Sequence, residues 1–274
     1  MISPRFTIVI PTLNEEKFLP NLLRSLVAQT DKNFETIVVD GKSDDNTIPA
    51  ANKFKKILPN LTVAPCLRGV SRQRNAGARM AKADWIIFAD ADSVLMPQFI
   101  ERISLFIKEK KPDCFTTWFR SDIDNGAYAI LGLIMNISIE VMALTKKPWI
   151  PGPLSLIRRD VFRTIGGYNE EVTYAEDHEI GVNLTKHGMR LEVLREILYI
   201  YSFRRFKKEG LLKIINRTIK STTLIAFTNQ GLKTMPGFIG GGSLYSKKPK
   251  KKRVRLISKE LEQSIKRFVQ ELLK

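Results

Sequence analysis

Two aspartates one residue apart, Asp90 and Asp92, follow directly on the apolar run Trp85-Ile86-Ile87-Phe88-Ala89. A short apolar run bounded by polar residues reads as a buried strand. Its end delivers Asp90-Ala91-Asp92 to a sheet edge, where open α/β sheets bind ligands. Across a strand end that turns, one carboxylate can hold a divalent ion while the other takes a hydroxyl or a bound water. Hard divalent cations want oxygen ligands and keep room for substrate phosphates. A third aspartate, Asp40, closes the β-rich run Thr36-Ile37-Val38-Val39 and is placed to accept a hydrogen bond from a base N–H. Arg74 offers a planar cationic fork for a nucleotide or its phosphates.

These residues need a scaffold, and the hydrophobic pattern supplies one. Thr7 to Ile10 reads as a strand stopped by Pro11, and apolar residues at Phe18, Leu22, Leu23, Leu26 and Val27 give helical spacing over Glu15–Gln29. The second strand ends at Asp40. The loop Gly41-Lys42-Ser43-Asp44-Asp45 leads into a helix through Ile57, with Asp45 placed to cap it. A third strand over Leu61–Ala64, a helix over Val70–Ala83 and the strand Trp85–Ala89 follow. A further helix starts with Pro97 in its first turn, and Cys114–Phe119 is another strand. Strands alternating with helices predict βαβ units and a mostly parallel, Rossmann-like central sheet flanked by helices.

Ala127–Thr145 carries a single charge, Glu140, and is long enough for a membrane span. A crossing there would put Asp90/Asp92 and the acidic pair Glu176-Asp177 on opposite sides of the membrane. Gly132, Asn136 and Glu140 recur every fourth residue, so the segment reads as a buried or interfacial helix, packed in the protein or partly in lipid, with one narrow polar stripe turned to the cleft. The formal charge is +17, and 11 Lys/Arg against 3 Glu from Lys247 to Lys274 supply 8 of it. Such an excess points to anionic partners: a nucleotide, a membrane surface or nucleic acid. Leu212, Ile215 and Ile219 share one helical face, and Ile257, Leu261, Ile265, Phe268 and Leu272 another. Residues 206–274 therefore read as a basic amphipathic region suited to an anionic membrane surface. Cys66 and Cys114 show no metal-ligand spacing and read as reduced thiols of a cytosolic chain. Met1 to Arg5 enters a strand at once, without a leader pattern.

Four segments in order resemble the inverting glycosyltransferases of family 2, which have the GT-A fold. They are Ile8 to Glu15; Val38 to Thr47; Arg72 to Gly77 with Asp84 to Asp92; and Gly166-Gly167-Tyr168-Asn169-Glu170 with Glu176-Asp177. The resemblance implies a catalytic domain over residues 1–205, with 1–112 binding the nucleotide sugar and 113–205 the acceptor. It implies Mn²⁺ or Mg²⁺ on Asp92 with Asp90, the latter nearer the ribose or a metal-bound water. Pro11, Thr12, Asn14, Glu15, Asp40, Lys42, Arg74, Asn75, Asp90 and Ala91 would line the donor site, UDP-linked by preference, with GDP equally able to offer a base donor. Asp177 would be the general base, positioned by Glu176. Gly166 and Gly167 would leave room for the acceptor, and Arg204 and Arg205 would meet its phosphate. The acceptor is a sugar or a lipid phosphate, and the place of work the cytoplasmic face of a membrane.

The sequence departs from the family in three ways. Asp40 is followed at once by Gly41-Lys42-Ser43, so one acidic residue is missing. The Gln-x-x-Arg-Trp signature of processive synthases is absent, with Ser202-Phe203-Arg204-Arg205-Phe206 in its place, which favours single transfer. Neither His178 nor His187 is assigned as a metal ligand. Bland alternatives stand beside these readings: a solvated turn for Asp90/Asp92, a helix-capping role for Asp40, a helix N-terminus for Asp177, a solvated helix face for Arg74-Asn75. Competing functions are a nucleic-acid-binding protein driven by the tail and a non-catalytic nucleotide binder. No recognised nucleic-acid module is present, so no nucleic acid is expected. A sugar nucleotidyltransferase would need a glycine-rich loop after the first strand, and Pro11-Thr12-Leu13-Asn14-Glu15 has no glycine.

Overall fold

A computed structural model describes residues 4–58, 60–145, 150–172, 174–210 and 214. The strands are β1 (Phe6–Thr12), β2 (Phe34–Asp40), β3 (Leu61–Pro65), β4 (Trp85–Ala89), β5 (Val94–Leu95), β6 (Cys114–Ser121), β7 (Leu154–Arg158) and β8 (Leu191–Tyr201). The helices are α1 (Leu19–Val27), α2 (Thr47–Asn52), α3 (Val70–Met80), α4 (Phe99–Lys110), α5 (Gly126–Ala143), α6 (Arg159–Thr164), α7 (Glu176–Lys186) and α8 (Arg204–Glu209).

One sheet runs in the order β3-β2-β1-β4-β7-β6-β8-β5. From β3 to β4 every pairing is parallel, as the βαβ pattern predicts. Beyond β4 the sheet is mixed: β7 is antiparallel to β4 and β6, β8 parallel to β6, β5 antiparallel to β8. The expectation of a mostly parallel sheet holds: four of the seven pairings are parallel, and the antiparallel ones are those made by β7 and β5.

Period-two alternation divides the core. Phe6, Ile8 and Ile10 of β1, with Trp85 and Ile87 of β4, meet Leu22 and Leu26 of α1, Ile103 of α4 and Ile139 of α5 on one face. Val9, Ile86 and Phe88 meet Ala78 of α3, Phe162 of α6 and Leu184 of α7 on the other. Helix bounds shift from the sequence reading by a few residues: α1 starts at Leu19 with Pro20 in its first turn, and α4 follows Pro97 rather than containing it. Gly77 has no Cβ because Val9 fills that space, so α3 sits directly on β1. The chain runs outward from β1 through β2 to β3, then returns to β4 on the other side of β1. The carboxyl ends of β1 and β4 therefore flank a topological switch point, where a crevice forms. Both cysteines are free thiols, Cys114 buried and Cys66 half-buried. Apart from α8, the expected amphipathic segments with Leu212, Ile215, Ile219, Ile257 and the residues after them lie outside the described residues.

Candidate active site

Three strand ends converge at the switch point. The β1 end brings Thr12, Asn14 and Glu15. Asn14 takes a left-handed conformation (φ 58°), accepts from the Asp44 N–H at 2.7 Å, and its own N–H reaches Ser43 Oγ at 2.8 Å. The β2 end brings Asp40, whose carboxylate accepts from Ser43 N–H (2.8 Å), Ser43 Oγ (2.6 Å) and Thr12 Oγ1 (3.1 Å). The β4 end brings Asp90 and Asp92, tied by Asp90 N–H to the Pro153 carbonyl. Each of these two aspartates has its own arginine. Arg204, at the start of α8, places Nε 2.6 Å from Asp92 Oδ2 and grips Glu15 in a two-pronged pair at 2.7 and 2.8 Å. Its guanidinium lies 4.3 Å from the Phe18 ring centre. Burial pushes the Glu15 carboxyl up to about 7, against the pull of Arg204.

Arg74 takes the other aspartate. Its Nη2 donates to Asp90 Oδ1 at 3.0 Å and to the Gly152 carbonyl at 2.9 Å, and its Nη1 to Glu176 Oε1 at 2.9 Å. The side chain is 2% exposed, while Glu176 is 13% and Asp90 34% exposed. Desolvation raises the Glu176 carboxyl; Arg74 lowers it and Asp177 raises it again. Asp90 is likewise pushed up by burial and held back first by Arg74. Asp177 closes the cluster: a Cβ placed on Gly152 would lie 3.4 Å from Asp177 Oδ2 and 3.5 Å from Arg74 Nη2. Glu176 and Asp177 begin α7 directly after Ala175, a non-glycine residue at φ 60°. That conformation costs about 1–3 kcal/mol and aims the first turn of α7 at the cleft. The acidic first turn also suits the positive end of the helix dipole.

Residues 7–166 match the profile of Glycosyl transferase family 2, more than half of the chain. The chain belongs to glycosyl transferase family 2. An uncharacterized glycosyltransferase of Haemophilus influenzae is 30% identical over 186 residues, 65% of this chain and 61% of that protein. A PGL/p-HBAD biosynthesis glycosyltransferase of Mycobacterium bovis is 31% identical over 196 residues, 66% of this chain and 70% of that protein. The crystal structure of Staphylococcus aureus TarS with UDP-GlcNAc superposes with a TM-score of 0.62 at 23% identity, over 72% of this chain and 58% of that one. The mannosyltransferase PcManGT of Pyrobaculum calidifontis with GDP-Man and Mn²⁺ gives 0.57 at 20%, over 73% and 57%. The fold is GT-A. The chain spans about three fifths of the Haemophilus protein and of the solved TarS chains.

Placed on this family-2 frame, the residues singled out from the sequence sort by position. Pro11, Thr12, Asn14, Glu15, Asp40, Asp90, Ala91 and Asp92 gather at the switch point, and Glu176 and Asp177 join them through Arg74. Asp40 is 1% exposed, its oxygens turned to its own loop. Lys42 stands exposed at φ 61°, its carbonyl accepting from Arg68 at 3.1 Å. Asp45 accepts from the Thr47 N–H and so supports the start of α2 from one residue before its N-cap, Asn46, rather than as the cap itself. Four expectations need correction. Arg74 and Asn75 are not a solvated face; both are buried. Asn75 spends its amide on Tyr168, donating to the carbonyl at 2.8 Å and accepting from the N–H at 2.9 Å. Gly167 is required by that clamp rather than by room for a ligand: its φ is +70°, and a Cβ would sit 2.8 Å from Asn75 Oδ1. Arg204 lies against the donor-side carboxylates, not across the cleft, and Arg205 pairs along α8 with Glu209 at 3.0 Å. Sequence reasoning assigned no role to Gly152, whose carbonyl receives Arg74. Tyr201 ends β8, a strand that the hydrophobic pattern did not reveal, and its phenol is held well above its ordinary range by burial, Asp92 and Asp90.

Proposed function

We propose that this chain transfers a sugar from a nucleotide-sugar donor to an acceptor hydroxyl or phosphate with inversion, Asp177 acting as general base. The observation that carries the reading is the Arg74 bridge, which draws Asp90 of the donor side and Glu176 of the acceptor side onto one guanidinium. Inversion is a single displacement and needs one base on the acceptor side. The acceptor oxygen attacks the anomeric carbon while its proton passes to Asp177. The bond from that carbon to the diphosphate oxygen breaks, and its electron pair leaves with the nucleoside diphosphate. Glu176, fixed by Arg74, keeps the first turn of α7 in place beside the base.

Asp92 and Asp90 fit a divalent ion, Mn²⁺ or Mg²⁺. The Arg204 guanidinium on Asp92 is a cation already drawn to that carboxylate. Among the described residues no third His, Cys, Asp or Glu joins the two to form a closed cage. Asp92 and Asp90 would hold such an ion, with room for phosphate oxygens and water, as hard cations in phosphate chemistry prefer. A bound ion would supply positive charge to the leaving diphosphate. UDP- and GDP-linked donors are both in keeping with the ligands of TarS and PcManGT. The acceptor is a lipid-linked phosphate or glycan at the cytoplasmic face of a membrane, a reading supported by the apolar surface of α5 and the basic composition.

The test is donor turnover with UDP- and GDP-sugars in Mn²⁺ or Mg²⁺, with Asp177→Asn and Asp92→Ala beside the wild type. Loss of a general base costs about 10²–10⁴-fold. Wild-type rates in both variants would overturn the assignment, and rates unchanged by a chelator would remove the ion.

A further inference from the structure

Helix α5 is amphipathic the wrong way round for a soluble surface. Its polar residues point inward: Asn136 brackets the Phe119 backbone of β6, donating to its carbonyl at 2.9 Å and accepting from its N–H at 3.2 Å. Glu140 accepts from Trp118 Nε1 at 2.8 Å and pairs with Arg195 of β8, also at 2.8 Å. Ile139 packs into the core, but a second set of large aliphatic residues points outward. Leu133, Ile134, Ile137 and Val141 are each about half exposed, and Leu144, just past the helix end, is 89% exposed. At 3.6 residues per turn these five fall within one arc of about 100°. A continuous apolar stripe of this kind on a surface marks an interaction site. The anchoring of Asn136 and Glu140 to the sheet keeps α5 lying along the domain, so this stripe can rest on a bilayer but cannot cross it.

We propose that the outer face of α5 docks on an anionic lipid surface. Charge selects this occupant. Lys146-Lys147-Pro148-Trp149 follows the stripe directly in sequence, and Arg195 stands three-quarters exposed at its margin. A sequence in which tryptophan and lysine follow an apolar stripe suits the headgroup boundary. A second copy would set +17 against +17, whereas an anionic bilayer meets the same charge favourably. On its inner side α5 is also joined to the segment that carries Arg204. Tyr128 of α5 stacks edge-on against Phe203 at 5.9 Å, Phe203 N–H donates to Asp122 Oδ1 at 2.8 Å, and the next residue is Arg204. Seating α5 on lipid thus brings the cleft to acceptors carried in the same leaflet. That last step rests on the transfer reading above; the docking itself does not.

The experiment is vesicle co-sedimentation of the full chain, comparing vesicles of phosphatidylcholine with vesicles holding one part phosphatidylglycerol to three of phosphatidylcholine. The variant is Ile137→Glu with Val141→Glu, two exposed positions outside the catalytic cluster. Wild-type protein is expected to sediment with the anionic vesicles and not with the neutral ones. The variant should lose roughly tenfold or more of that partitioning, since both glutamates would enter the apolar boundary. It should keep its melting temperature and its donor hydrolysis. Equal partitioning of variant and wild type would overturn the proposal and assign lipid binding to another segment. No sedimentation of the wild type would overturn it too, as would a dimer in light scattering that the variant abolishes. Donor hydrolysis separates this failure from failure of the transfer reading, because it needs no lipid.

Discussion

Replacing Arg74 with Met removes the cation that two buried carboxylates share while keeping most of the side-chain volume. In the native protein the guanidinium is 2% exposed and spans Asp90, Glu176 and the Gly152 carbonyl at 2.9–3.0 Å. Breaking a buried pair by deleting one partner costs about 3–5 kcal/mol, because the charge left behind is uncompensated. Glu176 carries most of this cost. The Asp90 share is discounted, since a third of that side chain meets solvent. For a domain of this size the loss lowers the melting temperature by roughly 10 °C. The pH dependence gives a sharper signature. Burial already raises the Glu176 carboxyl above its ordinary 4.5, and Arg74 pulls it down. Without Arg74 it rises further. A carboxyl raised in the folded state contributes stability that is fully present below its unfolded value and is lost as pH climbs through its folded value. The deficit of Arg74→Met should therefore be smallest near about pH 4.5 and largest near about pH 8. Urea unfolding of wild type and variant at both pH values measures it. A deficit below about 1 kcal/mol, or one equal at the two pH values, would refute the shared-cation reasoning.

Other substitutions test neighbouring parts of the same argument. Glu15, raised to about 7 by burial, should withdraw stability as pH rises from about 4.5 to about 7, by up to roughly 3 kcal/mol. Thermal melts of Glu15→Gln across that window should lack this slope. Gly167→Ala combines a φ of +70° with a Cβ 2.8 Å from Asn75 Oδ1, so it should cost about 2–3 kcal/mol in urea unfolding. Asn136→Leu leaves the Phe119 N–H and carbonyl without their side-chain partner under α5 and should cost about 2–3 kcal/mol, read by the same method.

Much of the first half of this fold was legible because β1, β2 and β4 carry short β-branched or apolar runs, Ile8-Val9-Ile10, Ile37-Val38-Val39 and Trp85 to Ala89, that stop at proline or at aspartate. β8 was not. Its eleven residues carry Arg195 and Glu196 in mid-strand, and its register with β6 shifts between Thr117 and Phe119, so neither alternation nor continuity survives in the sequence. The polar stripe on α5 was read correctly as a stripe, but it faces the sheet rather than the cleft: a narrow row of Gly132, Asn136 and Glu140 fits a strand backbone as well as a ligand. Asp90 and Asp92 were visible as a pair at a strand end, and Glu176-Asp177 through the family resemblance. Their partners were not. α3 buries Ser71, Gln73, Arg74 and Asn75, residues that hydrophobic periodicity assigns to water. A polar helix face is buried only when something on the opposing loops satisfies it, and those loops lie about a hundred residues away in the chain.

The Asp-Ala-Asp turn gains its meaning from that arrangement. One-residue spacing at a strand end splits the two carboxylates between two guanidiniums, Asp90 to Arg74 and Asp92 to Arg204. The two pairs are not equivalent. Arg74, buried on α3, is held between the loop before β7 and α7, so Asp90 is tied to Glu176 through it. Arg204 enters from a single short helix, stacked on Phe18 and paired with a Glu15 that burial leaves only weakly acidic. Any other cation that takes Asp92 Oδ2 must displace an arginine lying 2.6 Å from it. The two ends of the Asp-Ala-Asp turn are thus braced by different elements, Asp90 by Arg74 of α3 and Asp92 by Arg204 of α8.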